Sequence, residues 1–330
     1  MIIVQTLLGG VTRLTGSGLS ITEWKPIMGA IPPMTEAEWN HAFDGYKQIG
    51  QYKYLNSAFT LSDFKFIFFW EWFHRLWARS LGVVFAIGFV WFLYKKCFDK
   101  SMIKPFIVLF ILGGLQGLIG WIMVSSGVNG TSLYVNHVKL AIHFIAAMIL
   151  AVYTLWFALK LLIPETKRVA NKGLATITGS LILLLFVQLT YGAFMAGLKG
   201  ALVAPTWPSI DGYYVPDQLK YASWISDPIN VHFFHRNLAY LLLILLAAWF
   251  FKVVKASNAV NSGLIKKAAV WPVVLVFVQV LLGIFTVLNA THIVYGKFGV
   301  FEAFAETHQL VAMFLLMSLV VNYYIVSKRV

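Results

Sequence analysis

The sequence predicts an all-α polytopic membrane protein, with eight transmembrane helices arranged as two pseudo-symmetric four-helix bundles. Three observations carry this reading. Of 330 residues, 59% are hydrophobic and only 12% are charged, and mean hydropathy is +0.76. An average soluble domain carries about twice that charge. Only helices and closed barrels satisfy a backbone in lipid. Unbroken apolar runs such as Gly173 to Gly197 exclude a barrel, whose strands alternate. The same composition excludes disorder. The third observation is a set of motifs that recurs between the two halves of the chain.

A bilayer-crossing helix needs about 20 mainly apolar residues. Stretches near 1–14, 66–94, 105–125, 133–163, 173–197, 231–254, 268–288 and 304–326 supply the eight. The first would rise only about 20 Å, short of a full crossing as written. It has no charged leader and no cleavage site, so it does not read as a signal peptide. Alternate loops and the C-terminus gather fourteen lysines and arginines, from Lys95 to Lys328-Arg329, against Asp99 and Glu165. That set nets +12 of the total +13. The positive-inside rule places it, and both termini, in the cytoplasm. The basic balance is therefore a topology signal and not a footprint for nucleic acid. Two long loops, about 15–65 and 198–230, fall outside. Loops of this length suit lids over a site, with a packed external cap as the alternative. Cys97 is the only cysteine, so no disulfide framework exists.

Each odd-numbered span carries Gln-x-x-x-Gly: Gln5/Gly9, Gln116/Gly120, Gln188/Gly192 and Gln279/Gly283. Each even-numbered span carries a histidine in its outer half: His74, His143, His235 and His308. His74 to His235 is an offset of 161, and His143 to His308 one of 165. The offset covers an even number of helices, so the halves 1–165 and 166–330 are parallel repeats. Each is expected to form one bundle.

Ionisable groups within spans default to function. Two histidines per bundle, on different helices at similar depth, suit bis-histidine haem ligation. A zinc ion usually takes three or four ligands, which would require Glu71 to join. His41 and His292 read as surface residues of external loops. His137 lies off the face of His143. His232 shares a face with His235 at i−3 and reads as lining the haem edge, not as a ligand.

Glu71 also shares a face with its histidine, at i−3 from His74, where the second half has His232. Burying a carboxylate in an apolar bundle is costly. It poises Glu71 for proton transfer or for stabilising a cationic intermediate; the alternative is an ion pair with Arg75 or Arg79. The asymmetry implies that one haem is worked on while the other serves. Arg75, Lys139 and Arg236 lie beside the ligands, placed either to pair with haem propionates or to snorkel outward.

These residues carry a resemblance. The run Gly9-Gly-Val-Thr-Arg-Leu-Thr-Gly-Ser-Gly-Leu-Ser20, then Glu23-Trp-Lys-Pro26 and Pro32-Pro33, is similar to a stretch of the haem A synthase family of mitochondrial and proteobacterial type. So are Glu71-Trp-Phe-His-Arg75, Val138-Lys-Leu-Ala-Ile-His143, Tyr191-Gly-Ala-Phe-Met-Ala-Gly197, Pro205-Thr-Trp-Pro208, His235-Arg236 and His308-Gln309. Lys139 stands where arginine is usual. The loop cysteine pair of some bacterial members is absent.

The resemblance implies oxidation of the C8 methyl of haem O to a formyl group, giving haem A for cytochrome oxidase. It implies His74 and His143 as ligands of the substrate haem, and His235 and His308 as ligands of an electron-relaying haem b. Glu71 falls at the essential carboxylate. It further implies an oxidoreductase acting on a CH group, water-derived oxygen and an electron acceptor the sequence does not name. The implied location is a bacterial cytoplasmic membrane. Haem O synthase and cytochrome oxidase assembly factors are the implied partners. The Gln-x-x-x-Gly faces are compatible with packing within one chain or in a homo-oligomer. Two rival functions are a di-haem, cytochrome b-like electron-transfer protein and a transporter or assembly factor without haem.

Overall fold

The computed structural model describes residues 1–23, 28–259, 263–293 and 297–328. Among them the regular structure is helical, with no strand beyond two isolated bridges. Helices are numbered in chain order: α1 (Ile2–Leu14), α2 (Glu36–Lys47), α3 (Gly50–Tyr54), α4 (Leu61–Tyr94), α5 (Lys100–Ser125) and α6 (His137–Leu162). There follow α7 (Lys172–Gly197), α8 (Gly200–Val203), α9 (Pro228–Ala259), α10 (Gly263–Leu288) and α11 (Val300–Val326).

Seven of these, α4 to α7 and α9 to α11, are long and apolar enough to cross a membrane. The eighth expected span is α1, which has 13 residues. The expected count thus resolves into seven long helices and one short one. Long helices start earlier than hydropathy alone suggests, because polar start signals extend them. Thr60 and Asp63 form a capping box that begins α4, and each satisfies an otherwise unpaired N–H of the first turn. The 34 residues of α4 rise about 51 Å, well beyond a hydrocarbon core of about 30 Å. Its N-terminal end therefore extends beyond that core. Its C-terminal half exposes Val83, Val84, Ile87, Val90 and Trp91, and no residue of α5 is buried. Apolar faces of this extent suit lipid.

The chain forms two compact units. The first is Met1–Ala147 with His292–Glu306. Within it α1 packs along α4, and Thr12 donates a hydrogen bond to the Trp70 carbonyl at 3.2 Å. The first long loop folds into a helical cap with its own apolar core. Leu19, Phe43, Tyr46, Ile49, Phe64, Ile67 and Phe68 bury one another there. Phe43 stacks on Phe64 at 5.0 Å between ring centres. The Tyr46 hydroxyl donates to Gln51 at 3.0 Å and accepts from Asn56 at 2.8 Å. Gln51 in turn donates to the Gly16 carbonyl. Burial pushes the Tyr46 phenol up to about 12, against the opposing Asn56 hydrogen bond. Gly50 is required by close approach, since a Cβ there would sit 2.7 Å from the Thr131 backbone.

The second unit is Met148–Thr291 with Thr307–Val330. Here α9 packs against both α7 and α10. Buried polar groups are paired between helices. Trp249 of α9 donates to Thr178 of α7 at 2.9 Å, and Asn322 of α11 donates to the Ala268 carbonyl of α10 at 3.0 Å. At the charged end, the Arg168 guanidinium lies 4.2 Å over the Tyr324 ring.

Candidate functional site

The repeated Gln-x-x-x-Gly has a direct structural meaning. In each pair of helices, the glycine makes room for the histidine of the neighbour. A Cβ on Gly9 would lie 3.3 Å from His74 Nε2, and one on Gly120 only 2.9 Å from His143 Cε1. On Gly192 and Gly283 it would lie 3.1 Å from Cε1 of His235 and of His308. Ordinary carbon contacts begin near 3.5 Å, so an alanine at any of the four would press on an imidazole. In two of the motifs the glutamine one turn earlier reaches the same ring. Gln116 Nε2 lies 3.2 Å from His143 Nδ1 and donates to the His143 carbonyl at 3.1 Å. Gln188 Nε2 lies 3.1 Å from His235 Nδ1 and donates to the His235 carbonyl at 2.9 Å.

The histidines come together in pairs, one pair in each compact unit. The His235 and His308 ring centres are 6.2 Å apart, with planes at 77°. Two imidazoles that bind one metal ion through ring nitrogens about 2.0–2.1 Å away, with ring centres roughly 1 Å further out, would have centres about 6 Å apart. In donor chemistry and spacing, His235 and His308 are residues that could hold a haem iron. In the first unit, His74 and His143 lie within electrostatic reach of one another. Among the described residues, no three His, Cys, Asp or Glu side chains cluster as a metal-ion site.

Glu71 is buried, 2% exposed, and is held on both oxygens. Oε2 accepts from Ser20 Oγ at 2.7 Å and from the Ile21 N–H at 2.8 Å. Oε1 pairs with Arg75 at 2.5 Å, and Arg75 also donates to the Ile21 carbonyl. The ion pair expected with Arg75 or Arg79 is thus the one with Arg75. It ties the first long loop to α4 one turn from His74. The zinc alternative would need Glu71 as a ligand, and its oxygens face the loop and Arg75 instead.

The second unit repeats the hook with different chemistry. Arg236 donates to the carbonyls of Thr206, Pro208 and Ser209 and pairs with His232 Nε2 at 2.8 Å. Its terminal N–H groups face the loop and His232, and those of Arg75 reach Glu71 and Ile21. Loop anchoring is therefore the contact the structure gives both arginines that sequence reasoning set beside propionates. Lys139 sits in the first turn of α6, half-buried. His137 opens α6. His41 and His292 are exposed as expected, though His41 stands on α2 and not on irregular loop. Sequence reasoning missed Ser20, Ile21, Thr206 and Ser209 as site residues. Part of the signal was present as motif: Ser20 ends the first quoted run and Thr206 lies within Pro205-Thr-Trp-Pro208, while Ile21 and Ser209, whose carbonyls the two arginines reach, lie one residue beyond each.

Comparison with known proteins agrees with this arrangement. The family model of COX15-CtaA, described as cytochrome oxidase assembly protein, matches residues 1–320. A curated relative named Heme A synthase, from Rhodopseudomonas palustris (strain TIE-1), is 41% identical over 303 residues, covering 89% of this chain and 80% of its own. One of the same name from Flavobacterium johnsoniae is 38% identical over 343 residues, covering 99% and 95%. Another, from Parvibaculum lavamentivorans, is 38% identical over 293 residues, covering 87% and 83%. Matched over nearly its whole length, the chain belongs to the COX15-CtaA family of cytochrome oxidase assembly proteins.

Proposed function

We propose that this protein is a haem A synthase, a membrane oxidoreductase that converts the C8 methyl of haem O to the formyl group of haem A. The observation that carries the proposal is the pairing of glycine-cradled histidines in each unit, with the clamped carboxylate of Glu71 beside the first pair. In this reading the halves 1–165 and 166–330 divide the work. His74 and His143 hold the substrate haem O. His235 and His308 hold a haem b, which when bound supplies a one-electron relay.

The chain's own residues do the rest. Ser20, Ile21 and Arg75 hold Glu71 in one orientation a single turn from His74. From there the carboxylate meets positive charge developing at the methyl carbon, or takes the proton of an attacking water. The first oxidation replaces a C–H bond by a C–O bond to water oxygen, releasing two electrons and two protons. A second round gives the geminal diol, and loss of water leaves the aldehyde. The electrons leave through the second half to an acceptor outside this chain. The cap over α4 excludes bulk water and fixes the Ser20–Ile21 segment. Both termini lie in the cytoplasm of a bacterium, and the histidines lie toward the outer face of its cytoplasmic membrane. Haem O synthase is the proposed source of substrate, and cytochrome oxidase assembly uses the product.

Glu71→Ala tests this. The purified variant is expected to keep its haem yet accumulate haem O, read by extraction and chromatography of the haems. Normal haem A from this variant would sink the assignment of Glu71. A wild-type protein with no haem in its optical spectrum would sink the whole reading.

A further inference from the structure

The geometry points to Gln188 as a positioning residue that sets the donor strength of the His235 imidazole, with Gln279 doing the same for His308 and Gln116 for His143. This rests on the haem-ligand reading above and goes beyond it. The starting observation is a repeated imbalance. In all four Gln-x-x-x-Gly motifs, the amide oxygen of Gln5, Gln116, Gln188 and Gln279 is buried without a hydrogen-bond partner. Buried acceptors are normally satisfied, and the same exception recurring at four related positions needs one cause.

The neighbouring ring supplies it. Gln188 Nε2 is 3.1 Å from His235 Nδ1, and Gln116 Nε2 is 3.2 Å from His143 Nδ1. An imidazole that binds metal through Nε2 keeps its proton on Nδ1. Nδ1 then has to donate, and the matching group is an acceptor. A glutamine amide carries both kinds of group, and rotation about its last torsion exchanges them. The oxygen that turns toward Nδ1 is the atom otherwise unsatisfied, and the turn exchanges the Nε2 donation to the histidine's own carbonyl for an acceptor on Nδ1–H. At the fourth motif both halves of the match stand open: His308 Nδ1 and Gln279 Oε1 are each buried without a partner. The glycine one turn on from each glutamine leaves the space that the ring occupies. Two residue types four positions apart thus serve one end. The glycine makes the space and the glutamine orients what fills it.

An acceptor on Nδ1–H raises the electron donation of the ligand and favours ferric iron, which lowers the reduction potential. The test is a redox titration of haem b in the full-length protein held in lipid nanodiscs, comparing wild type with Gln188→Leu and Gln188→Glu. Removing the acceptor in Gln188→Leu is expected to weaken the ferric preference about tenfold, an upward shift of about 59 mV for a one-electron couple. The stronger carboxylate acceptor of Gln188→Glu is expected to shift the potential downward. A purely structural role would not move the two variants in opposite directions. Unmoved potentials in both, or an upward shift in both, would overturn the inference. Should the leucine variant fail to hold haem, the glutamate variant decides alone: a downward shift supports the role, and no shift or an upward one overturns it. A wild-type protein lacking a bis-imidazole haem spectrum overturns the ligand reading itself. A normal wild-type spectrum with unmoved variants overturns only the role of the amide.

Discussion

Gly120→Ala isolates the histidine cradle from every other property of its helix. The added Cβ would stand 2.9 Å from His143 Cε1, short of an ordinary contact by about 0.6–1.1 Å. The ring cannot simply swing aside, because Gln116 holds both its Nδ1 and its backbone carbonyl. Overpacking of this kind costs about 1–3 kcal/mol, and a broken hydrogen bond adds about 1 kcal/mol. Replacing glycine by alanine inside a helix returns about 1 kcal/mol. The net expectation is destabilisation by about 1–3 kcal/mol, with the ring displaced from its ligating position. The same helix supplies the control, since a Cβ on Gly113, Gly114 or Gly117 meets nothing within 4 Å. Gly117→Ala is therefore expected to be neutral or slightly stabilising. The assay is thermal unfolding in detergent together with retention of substrate haem after purification. If Gly120→Ala matched Gly117→Ala in both readouts, the cradle argument would be wrong.

Three further outcomes follow from the same geometry. His235→Ala and His308→Ala each remove one of a pair of rings 6.2 Å apart, so each should lose haem b by pyridine haemochrome assay while helix content by circular dichroism stays; full haem b content in both would refute the pairing. Arg236→Lys should loosen the loop it holds, because an ammonium lacks the planar fork that reaches three carbonyls at once; backbone amide exchange around Thr206–Ser209 should rise at least about tenfold, a loss of roughly 1.4 kcal/mol in local opening, and unchanged exchange would reject the hook. The Tyr46 phenol is raised by burial to about 12, so the folded cap holds that proton more tightly than the unfolded chain does. Its contribution, up to about 2–3 kcal/mol, is complete below pH 10 and is lost as pH climbs from about 10 to about 12. Tyr46→Phe should remove that alkaline step from cap unfolding, and an identical alkaline profile in wild type and variant would refute it.

Periodicity and spacing revealed the parts of this protein that repeat. The histidines and the Gln-x-x-x-Gly motifs were legible because the same constraint acts four times, and the structure shows it to be one imidazole against one glycine. Long apolar helices were legible because lipid demands them. Contacts between a loop and a helix were not. Ser20 and Glu71 are 51 residues apart, and nothing in their local sequence announces that a hydroxyl and a carboxylate will meet. The first loop read as a lid, with a packed cap as the alternative. Its aromatic residues settle the matter only once Phe43, Tyr46 and Phe64 are seen to bury each other. Arg75 and Arg236 were read by their charge either as partners of haem propionates or as snorkelling outward. Hydrogen-bond geometry instead aims them at loop carbonyls and at the residue four positions back, a preference that composition does not encode.

The two hooks explain how one scaffold supports unlike roles in its halves. In each, the residue one turn before the ligand histidine meets the arginine one residue after it, at i and i+4 on one helix face. Each arginine also ties down an external loop. With Glu71 the hook is an ion pair, and with His232 it is a hydrogen bond to an imidazole nitrogen. The mechanical result is the same in both halves, while the electrostatic result is not. A carboxylate offers about four acceptor positions, and Ser20, Ile21 and Arg75 occupy three of them. About one position is left on a group whose orientation is already fixed, beside His74. Preorganisation of this kind is what makes a buried charge useful, because little reorganisation is needed when positive charge or a proton arrives. The imidazole of His232 offers no carboxylate oxygen, and this difference supports the proposal that the reacting haem belongs with His74 and the relaying one with His235.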